Sequence, residues 1–196
     1  MITAIVLAAG ESRRMGHVNK LLLPLGEATL IERVVGAVCQ SEADEVIVVL
    51  GHEARRIRAA LDGHDVLFAE NDRYREGMTT SIQTGVRTAS PDAAGFLICL
   101  SDLPLIEPDE LNQVIAAFTQ NADDDERRIV VPTYQGRRGN PVLFSAFYKP
   151  DIVAHRGLTG CKEIVKENAH HVLDVPMTTD HILRDVDTMD AYQRLV

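Results

Sequence analysis

The sequence predicts an α/β fold, a mainly parallel sheet with helices on both faces, and three observations carry that expectation. Short apolar runs rich in β-branched residues alternate with segments whose apolar residues recur at helical spacing. One run, Gly95 to Leu100 (GFLICL), is apolar almost throughout, as a strand covered on both faces requires. Polar or glycine-bearing stretches begin where such runs stop, at Gly10, Gly51 and Ser101. At 196 residues, with no interdomain linker, internal repeat or low-complexity tract, the chain is expected to form one domain over residues 1–196.

Composition narrows the function classes. A hydrophobic content of 45% and a charged content of 25% are ordinary for a soluble globular chain. The formal net charge of -9 argues against a nucleic-acid or membrane-surface binder, since either needs a basic face. The apolar start has no preceding Lys or Arg and is too short to span a membrane, so no secretory signal is expected. Cys39, Cys99 and Cys161 are widely spaced and odd in number, which fits a reducing cytoplasm better than a disulfide framework or a zinc site. Cys39 and Cys99 lie in apolar segments and are expected in the core.

The first strand, ending in Ile5 to Ala9, stops at Gly10 and feeds a loop carrying Arg13, Arg14 and Lys20. Gly10 and Gly16 allow positive φ and a close approach of backbone to ligand, so the loop suits an anion, most simply a phosphate chain. The alternative is that Arg13 and Arg14 are solvated surface charges. The stretch matches neither G-x-x-x-x-G-K-[ST] nor G-x-G-x-x-G, because five residues separate Gly10 from Gly16, His17 follows, and no Gly stands two after Gly10.

Thr29 is placed to cap a helix in which Leu30, Ile31, Val34, Val35 and Val38 share a face. Glu45 to Leu50 is a β-branched strand ended by Gly51, and the helix after it should bury Ile57 and Leu61. Val66 to Ala69 is a short strand. From Glu70 a polar stretch runs to Gly77 and enters a helix with Met78, Ile82 and Val86 spaced for burial. Thr79, Thr80 and Ser81 fall in its first turn, where they serve either as caps or as hydroxyls facing a polar ligand.

Asp102 directly follows the buried strand Gly95 to Leu100. In open α/β sheets ligands bind beyond the carboxyl ends of strands, so Asp102 is a metal candidate, with a turn residue before Pro104 as the alternative. Pro108 to Gln120 is a helix with Leu111, Val114, Ile115 and Phe118 inward. The acidic run Asp123 to Glu126 is expected to be a solvated loop, because adjacent carboxylates cannot all turn to one ion. After a strand at Ile129 to Pro132, Tyr134 to Phe144 forms a hairpin-like element whose basic turn, Arg137 and Arg138, offers a site for a second phosphorylated ligand. His170 and His171 would point to opposite faces if Ala169 to Val175 is a strand, which removes them as a metal pair.

The opening stretch resembles the L-A-A-G-x-S-x-R-M-G-x-x-K signature of the MobA-like nucleotidyltransferases, with Leu7, Ala8, Ala9, Gly10, Ser12, Arg14, Met15, Gly16 and Lys20 in place. Its LAAG form is more similar to the molybdenum cofactor cytidylyltransferases than to the guanylyltransferases. Asn71, Gly77, Met78 and Ser81 resemble the family segment that contacts base and ribose, and Asp102 to Leu105 resembles its metal-binding D-x-P-L. The segment Arg138 to Phe144 resembles R-G-H-P-V-L-F, with Asn140 where His is usual. Gly157 to Lys162 corresponds to G-D-x-G-x-R without its acidic residue and with Lys162 in place of Arg. The closing LRDVDTMD resembles D-x-D-T-P-E-D-L, matching Asp185, Asp187, Thr188 and Asp190, with Met189 in place of Pro.

The resemblance implies a Rossmann-like, three-layer nucleotidyltransferase fold of the GT-A-like kind. It implies nucleotide binding by Leu7, Ala8, Ala9, Gly10, Ser12, Arg14, Lys20, Asn71, Gly77, Met78 and Ser81, with Arg14, Lys20 and Asp102 catalytic. Mg²⁺ would be held by Asp102 and Asp187, the latter returning to the sheet edge or else simply starting the last helix. The acceptor would meet Arg137, Arg138, Asn140 and Lys162. The implied donor is CTP, the acceptor a phosphorylated pterin (molybdopterin or its molybdenum-loaded form), and a molybdoenzyme or its maturation factor a further partner. GTP as donor and a phosphosugar or methylerythritol phosphate as acceptor are the enzymatic alternatives. A catalytically inactive nucleotide-binding regulator or cofactor chaperone is the other class.

Overall fold

The structure, a computed structural model, describes residues 1–16, 18–120 and 126–196. The chain opens with β1 (Ile2–Ala8), followed after the polar loop by the two-stranded β2 (Pro24–Leu25) and β3 (Ala28–Thr29), then α1 (Leu30–Cys39). Thr29 caps α1 reciprocally: its hydroxyl oxygen accepts from Glu32 N (3.4 Å) while Glu32 accepts from Thr29 N (2.7 Å). Such a capping box stabilises a helix start by about 1 kcal/mol. Next come β4 (Glu45–Leu50), α2 (Ala54–Ala60), β5 (Leu67–Glu70), α3 (Met78–Thr88), β6 (Gly95–Leu100) and α4 (Pro108–Gln120). The last part contains β7 (Ile129–Tyr134), β8 (Arg137–Arg138), β9 (Val142–Ser145), α5 (Lys149–Ala154), α6 (Lys162–Glu167), β10 (Val172–Pro176) and α7 (Met189–Gln193).

The main sheet has the order β10-β7-β9-β6-β1-β4-β5, with β8 paired to β7. Pairings of β1 with β4 and β6, of β4 with β5 and of β7 with β10 are parallel. β9 enters antiparallel between β6 and β7, so the apolar run of β6 has one parallel and one antiparallel neighbour. It is buried because helices cover both faces, not because the sheet is parallel throughout.

Alternation along β1 divides the core. Ala4, Val6 and Ala8 pack with α1, α2 and α4 through Val34, Ile57 and Val114. Ile5 and Leu7 face the other way, toward Ile82 and Val86 of α3, Ile152 of α5 and Ile164 of α6. Each large aliphatic side chain buried this way contributes about 1.5–3 kcal/mol relative to an exposed one. The approach of α3 to the sheet depends on Gly85, where a Cβ would stand 2.3 Å from Ile5 Cγ2. Among the described residues no helix is long and apolar enough to cross a membrane.

Three local expectations change, and a fourth goes untested. Met78 is 42% exposed, because it starts α3 at the cleft rim, one turn before the buried stretch at Ile82 and Val86. Cys39 is exposed, lying on the outer side of the last turn of α1, whereas Cys99 is buried. His170 and His171 belong to a 3-10 turn at Ala169–His171 rather than to the strand, which begins at Val172, and their ring centroids are 3.9 Å apart. Asp123 to Asp125 lie outside the described residues.

Candidate functional site

The carboxyl ends of β1 and β6 lie side by side, joined where the Ser101 hydroxyl donates to Leu7 O at 2.6 Å. Beyond β1 the loop folds back on itself. Ser12 takes a left-handed conformation (φ 51°), and its hydroxyl accepts from Lys20 N at 3.1 Å. This turn carries Lys20 across to the end of β6, where its ammonium donates to Asp102 Oδ2 (2.7 Å) and Asp187 Oδ1 (2.8 Å). Arg14 binds the other oxygen of Asp187. Arg13 instead pairs with Glu11 in the same loop, at 2.6 Å.

Asp187 arrives on the segment between the turn at His181–Leu183 and α7, which crosses the strand ends and is pinned by Val186 N donating to Asp102 O at 2.8 Å. Thr188 caps α7 by accepting from Ala191 N at 3.2 Å. The helix start expected as the alternative for Asp187 is supplied by Thr188 instead, which leaves Asp187 beside Lys20 at the strand ends.

Burial alone would lower the Lys20 pKa, but the charges and hydrogen bonds of Asp102 and Asp187 outweigh it and hold it above the usual value. Burial likewise opposes ionisation of Asp187, and Lys20, with Arg14, outweighs it and keeps the carboxyl below its usual range. Asp185 is pushed up by partial desolvation and by the charges of Asp187 and Asp102. Asp102 Oδ1 is buried with no hydrogen-bond partner. An oxygen in that state suits a cation, and Asp102 and Asp187 could together hold a divalent ion. Among the described residues no group of three or more His, Cys, Asp and Glu side chains forms a self-sufficient metal cage. A two-carboxylate site completed by substrate oxygens and water is the arrangement that suits Mg²⁺.

Two clefts meet at these carboxylates. The first, about 480 Å³, runs from Asp102, Asp187 and Lys20 along Gly10, Ser12 and Arg14 to Gly77 and Ser81. Leu7 and Ala9 also line it. Ala8 does not, since strand alternation turns it into the core beside α1. Asn71 is also internal: its amide donates to Thr80 Oγ1 and Ser81 Oγ, both at 3.0 Å, and so steadies the start of α3. The second cleft, about 650 Å³, shares Arg14, Met78, Leu100, Asp102 and Asp187 with the first. Arg137, Arg138, Asn140 and Lys162 all line it, together with an apolar part that includes Ile98, Val142 and Phe144. Arg138 is held by Asp174 of β10 through two bonds of 2.7 and 3.0 Å.

The N-terminus of α3 ties the clefts together. Gly77 has φ 114°, and a Cβ there would lie 2.7 Å from Leu158 O. Met78 N donates to that same carbonyl (3.2 Å), and Gly160 N donates to Thr79 Oγ1 (3.2 Å). The loop before Lys162 is therefore anchored on the helix that walls the first cleft.

Tyr74, Arg75, Ser101, Cys161 and Asp185 also line the clefts, although sequence reasoning gave none of them a site role. Asp185 was visible as the first acid of DVD, and Tyr74 as the aromatic in an otherwise polar stretch. Nothing local marked Ser101 or Cys161.

A mycobacterial protein, Rv0371c of Mycobacterium tuberculosis H37Rv, has a crystal structure that superposes with TM-score 0.84 at 32% identity, covering 99% of this chain and 96% of that one. A second Rv0371c structure, 30% identical with TM-score 0.77 and covering 99% of this chain and 96% of that one, is a complex with manganese. A nucleotidyl transferase from Methanothermobacter matches with TM-score 0.84 and 27% identity over 100% of this chain and 95% of that one. Among curated relatives, the bifunctional protein GlmU of Bordetella petrii is 30% identical over 62% of this chain, which spans only 27% of its length. The purine catabolism protein PucB of Bacillus subtilis is 29% identical over 97% of this chain and 94% of its own. A probable molybdenum cofactor guanylyltransferase of Natronomonas pharaonis is 24% identical over 95% of this chain and 85% of its own. The family model described as MobA-like NTP transferase domain matches residues 4–172, and the chain belongs to that nucleotidyltransferase family.

Proposed function

We propose that residues 1–196 form one transferase domain that moves CMP from CTP onto the phosphate of a molybdopterin-type acceptor, releasing pyrophosphate. The observation that carries this reading is the junction of two clefts at Asp102, Asp187, Lys20 and Arg14. A donor in the first cleft and an acceptor in the second would meet there. The LAAG loop form supports CTP, and the apolar lining that the second cleft combines with Arg137 and Lys162 suits a flat heterocycle bearing a phosphate. The guanylyltransferase relative favours GTP as the second reading.

In this mechanism the loop after β1 holds the triphosphate, with Arg14 and Lys20 as counterions and Ser12 fixing the loop's return. Asp102 and Asp187 would hold the divalent ion, Mg²⁺ by the chemistry of the donor set, which supplies charge neutralisation at the phosphates when bound. Manganese in the Rv0371c complex supports a divalent ion of this kind. An acceptor phosphate oxygen attacks the α-phosphorus in line. The new O–P bond forms as the bond from the α-phosphorus to the bridging oxygen breaks, and the electron pair leaves with pyrophosphate. The acceptor phosphate has its second pKa near about 6, so it is already mostly dianionic and needs no general base. Arg137 and Lys162 reduce the repulsion between the two polyanions, and Asn140 borders the acceptor. We assign the reaction to the cytoplasm, where the free cysteines are stable, with a molybdoenzyme or its maturation factor receiving the product.

A panel of nucleoside triphosphates crossed with pterin, sugar and methylerythritol phosphates, followed by pyrophosphate release, tests the assignment. CTP with the pterin phosphate is expected to give the highest turnover, and CTP to protect the fold thermally better than GTP. The reverse ranking would transfer the donor assignment to GTP, and a binder without turnover in any pairing would leave the regulator reading.

A further inference from the structure

The carboxylates assigned to the divalent ion and the cations assigned to the triphosphate are bound to each other. Of the four oxygens of Asp102 and Asp187, Lys20 takes one from each, Arg14 takes another, and Asp102 Oδ1 has no partner. The Lys20 side chain is only 12% exposed, so this contact is not a loose surface pair. Two carboxylates there face one ammonium and one guanidinium, with Asp185 as a third carboxylate close enough to feel their charges.

We propose, building on the nucleotidyl-transfer reading, that Lys20 and Arg14 are resident counterions of the carboxylate pair. They leave it for the nucleotide phosphates when a divalent ion takes their place. A divalent ion entering alone would meet ligand carboxylates already paired with cations, with Lys20 at hydrogen-bond distance from both. A metal-free triphosphate would have to draw both cations away from Asp102 and Asp187 and leave that pair uncompensated at the cleft junction. Entry of metal and triphosphate together leaves neither group unbalanced, because the ion replaces the cations on the carboxylates while the phosphates receive them. The result is positive coupling between the two ligands, built from this chain's own ion pairs. It also gives Lys20 a positioning role before substrate arrives, holding Asp102 and Asp187 together against their mutual repulsion.

The exchange makes a prediction that a simple phosphate-binding role for Lys20 does not. Binding of Mn²⁺ alone, followed by electron paramagnetic resonance of the free ion, should be at least about tenfold tighter in Lys20→Met than in the wild type. Arg14→Met should show the same direction with a smaller factor, because its side chain is 72% exposed and screened. In EDTA, metal-free CTP should bind Asp102→Asn several-fold tighter than the wild type, since the substitution releases Lys20. Unchanged or weaker Mn²⁺ affinity in the Lys20 and Arg14 variants overturns the exchange and leaves Lys20 as a structural strut. Should Lys20→Met fail to fold, Arg14→Met decides by the same criterion. Absence of CTP binding in every form would remove the donor assignment, while the Mn²⁺ ranking would still decide the exchange.

Discussion

The two clefts, for which we propose donor and acceptor roles, share one wall and one carboxylate pair, yet they are built by different means. The donor cleft is made by the ends of two adjacent parallel strands and by one short loop whose turn is closed through Ser12 and Lys20. Its cations already sit on carboxylates. The acceptor cleft is assembled from the basic hairpin, the Gly157–Lys162 loop and the Asp185–Asp187 segment around an apolar wall. Of its basic residues Arg138 is committed to Asp174, while Arg137 and Lys162 are exposed at the rim. On the proposed assignment, pre-organised charge belongs to the activated substrate, and adaptable charge on an apolar support to its partner.

The largest expected effect lies at the junction, where the comparison would fail first. Asp102→Ala should reduce pyrophosphate release by about a thousandfold or more, because it removes a carboxylate serving both clefts. Turnover near wild type would mean that the clefts do not meet functionally at Asp102. On the acceptor side, Arg137→Ala and Lys162→Ala should each raise the acceptor KM about tenfold, as expected for a lost charged hydrogen bond. The donor KM should stay unchanged. Arg138→Ala and Asp174→Ala should give smaller effects that are equal to each other, since one acts through the other. Parallel rises in donor and acceptor KM would erase the distinction between the clefts.

The same division governs how much could be read before the structure. The loop after β1 was legible because its residues are close in sequence: Gly10, Ser12, Arg14 and Lys20 fall between the end of one apolar run and the start of the next. The strands and helices around it were legible from periodicity alone, apart from Met78, whose spacing matched the buried face but whose position at the helix start left it outside. The antiparallel insertion of β9 was not legible, because a buried strand shows the same apolar pattern with either neighbour direction. The resemblance suggested Asp187 beside Asp102, but its contact with Lys20 joins residues far apart in sequence and was not expected. For Ser101 even that clue was missing, since a small residue beside a strand end carries no signal of what it faces, and Cys161 is a variable position within the Gly157–Lys162 stretch at the start of α6.

A smaller effect is expected in stability, at the wall common to both clefts. Gly77→Ala forces a Cβ into a backbone region that L residues rarely adopt and against Leu158 O, 2.7 Å from its ideal position. Such strain costs about 1–3 kcal/mol and should lower the thermal midpoint. Because the Leu158 carbonyl belongs to the acceptor loop, the acceptor KM should rise more than the donor KM. A loss of stability that leaves both values untouched would confine Gly77 to the fold.

The smallest effect concerns a thiol on the acceptor side. Burial pushes Cys161 up to about 12, with Glu163 adding to the shift, and burial alone does the same for Cys99. Cys39 is exposed on α1, although partial burial first and Asp65 second also raise its pKa. Only the thiolate reacts, and its population falls tenfold for each unit that pH lies below the pKa. At pH 8, therefore, one thiol per chain should react readily with a disulfide reagent, and Cys39→Ser should remove that phase. Raising the pH should increase the slow reaction of Cys161 throughout the range below its pKa. If Cys161 instead reacts as fast as Cys39 near neutrality, the apolar wall opens to reagent and the acceptor cleft is less firmly packed than the donor cleft beside it.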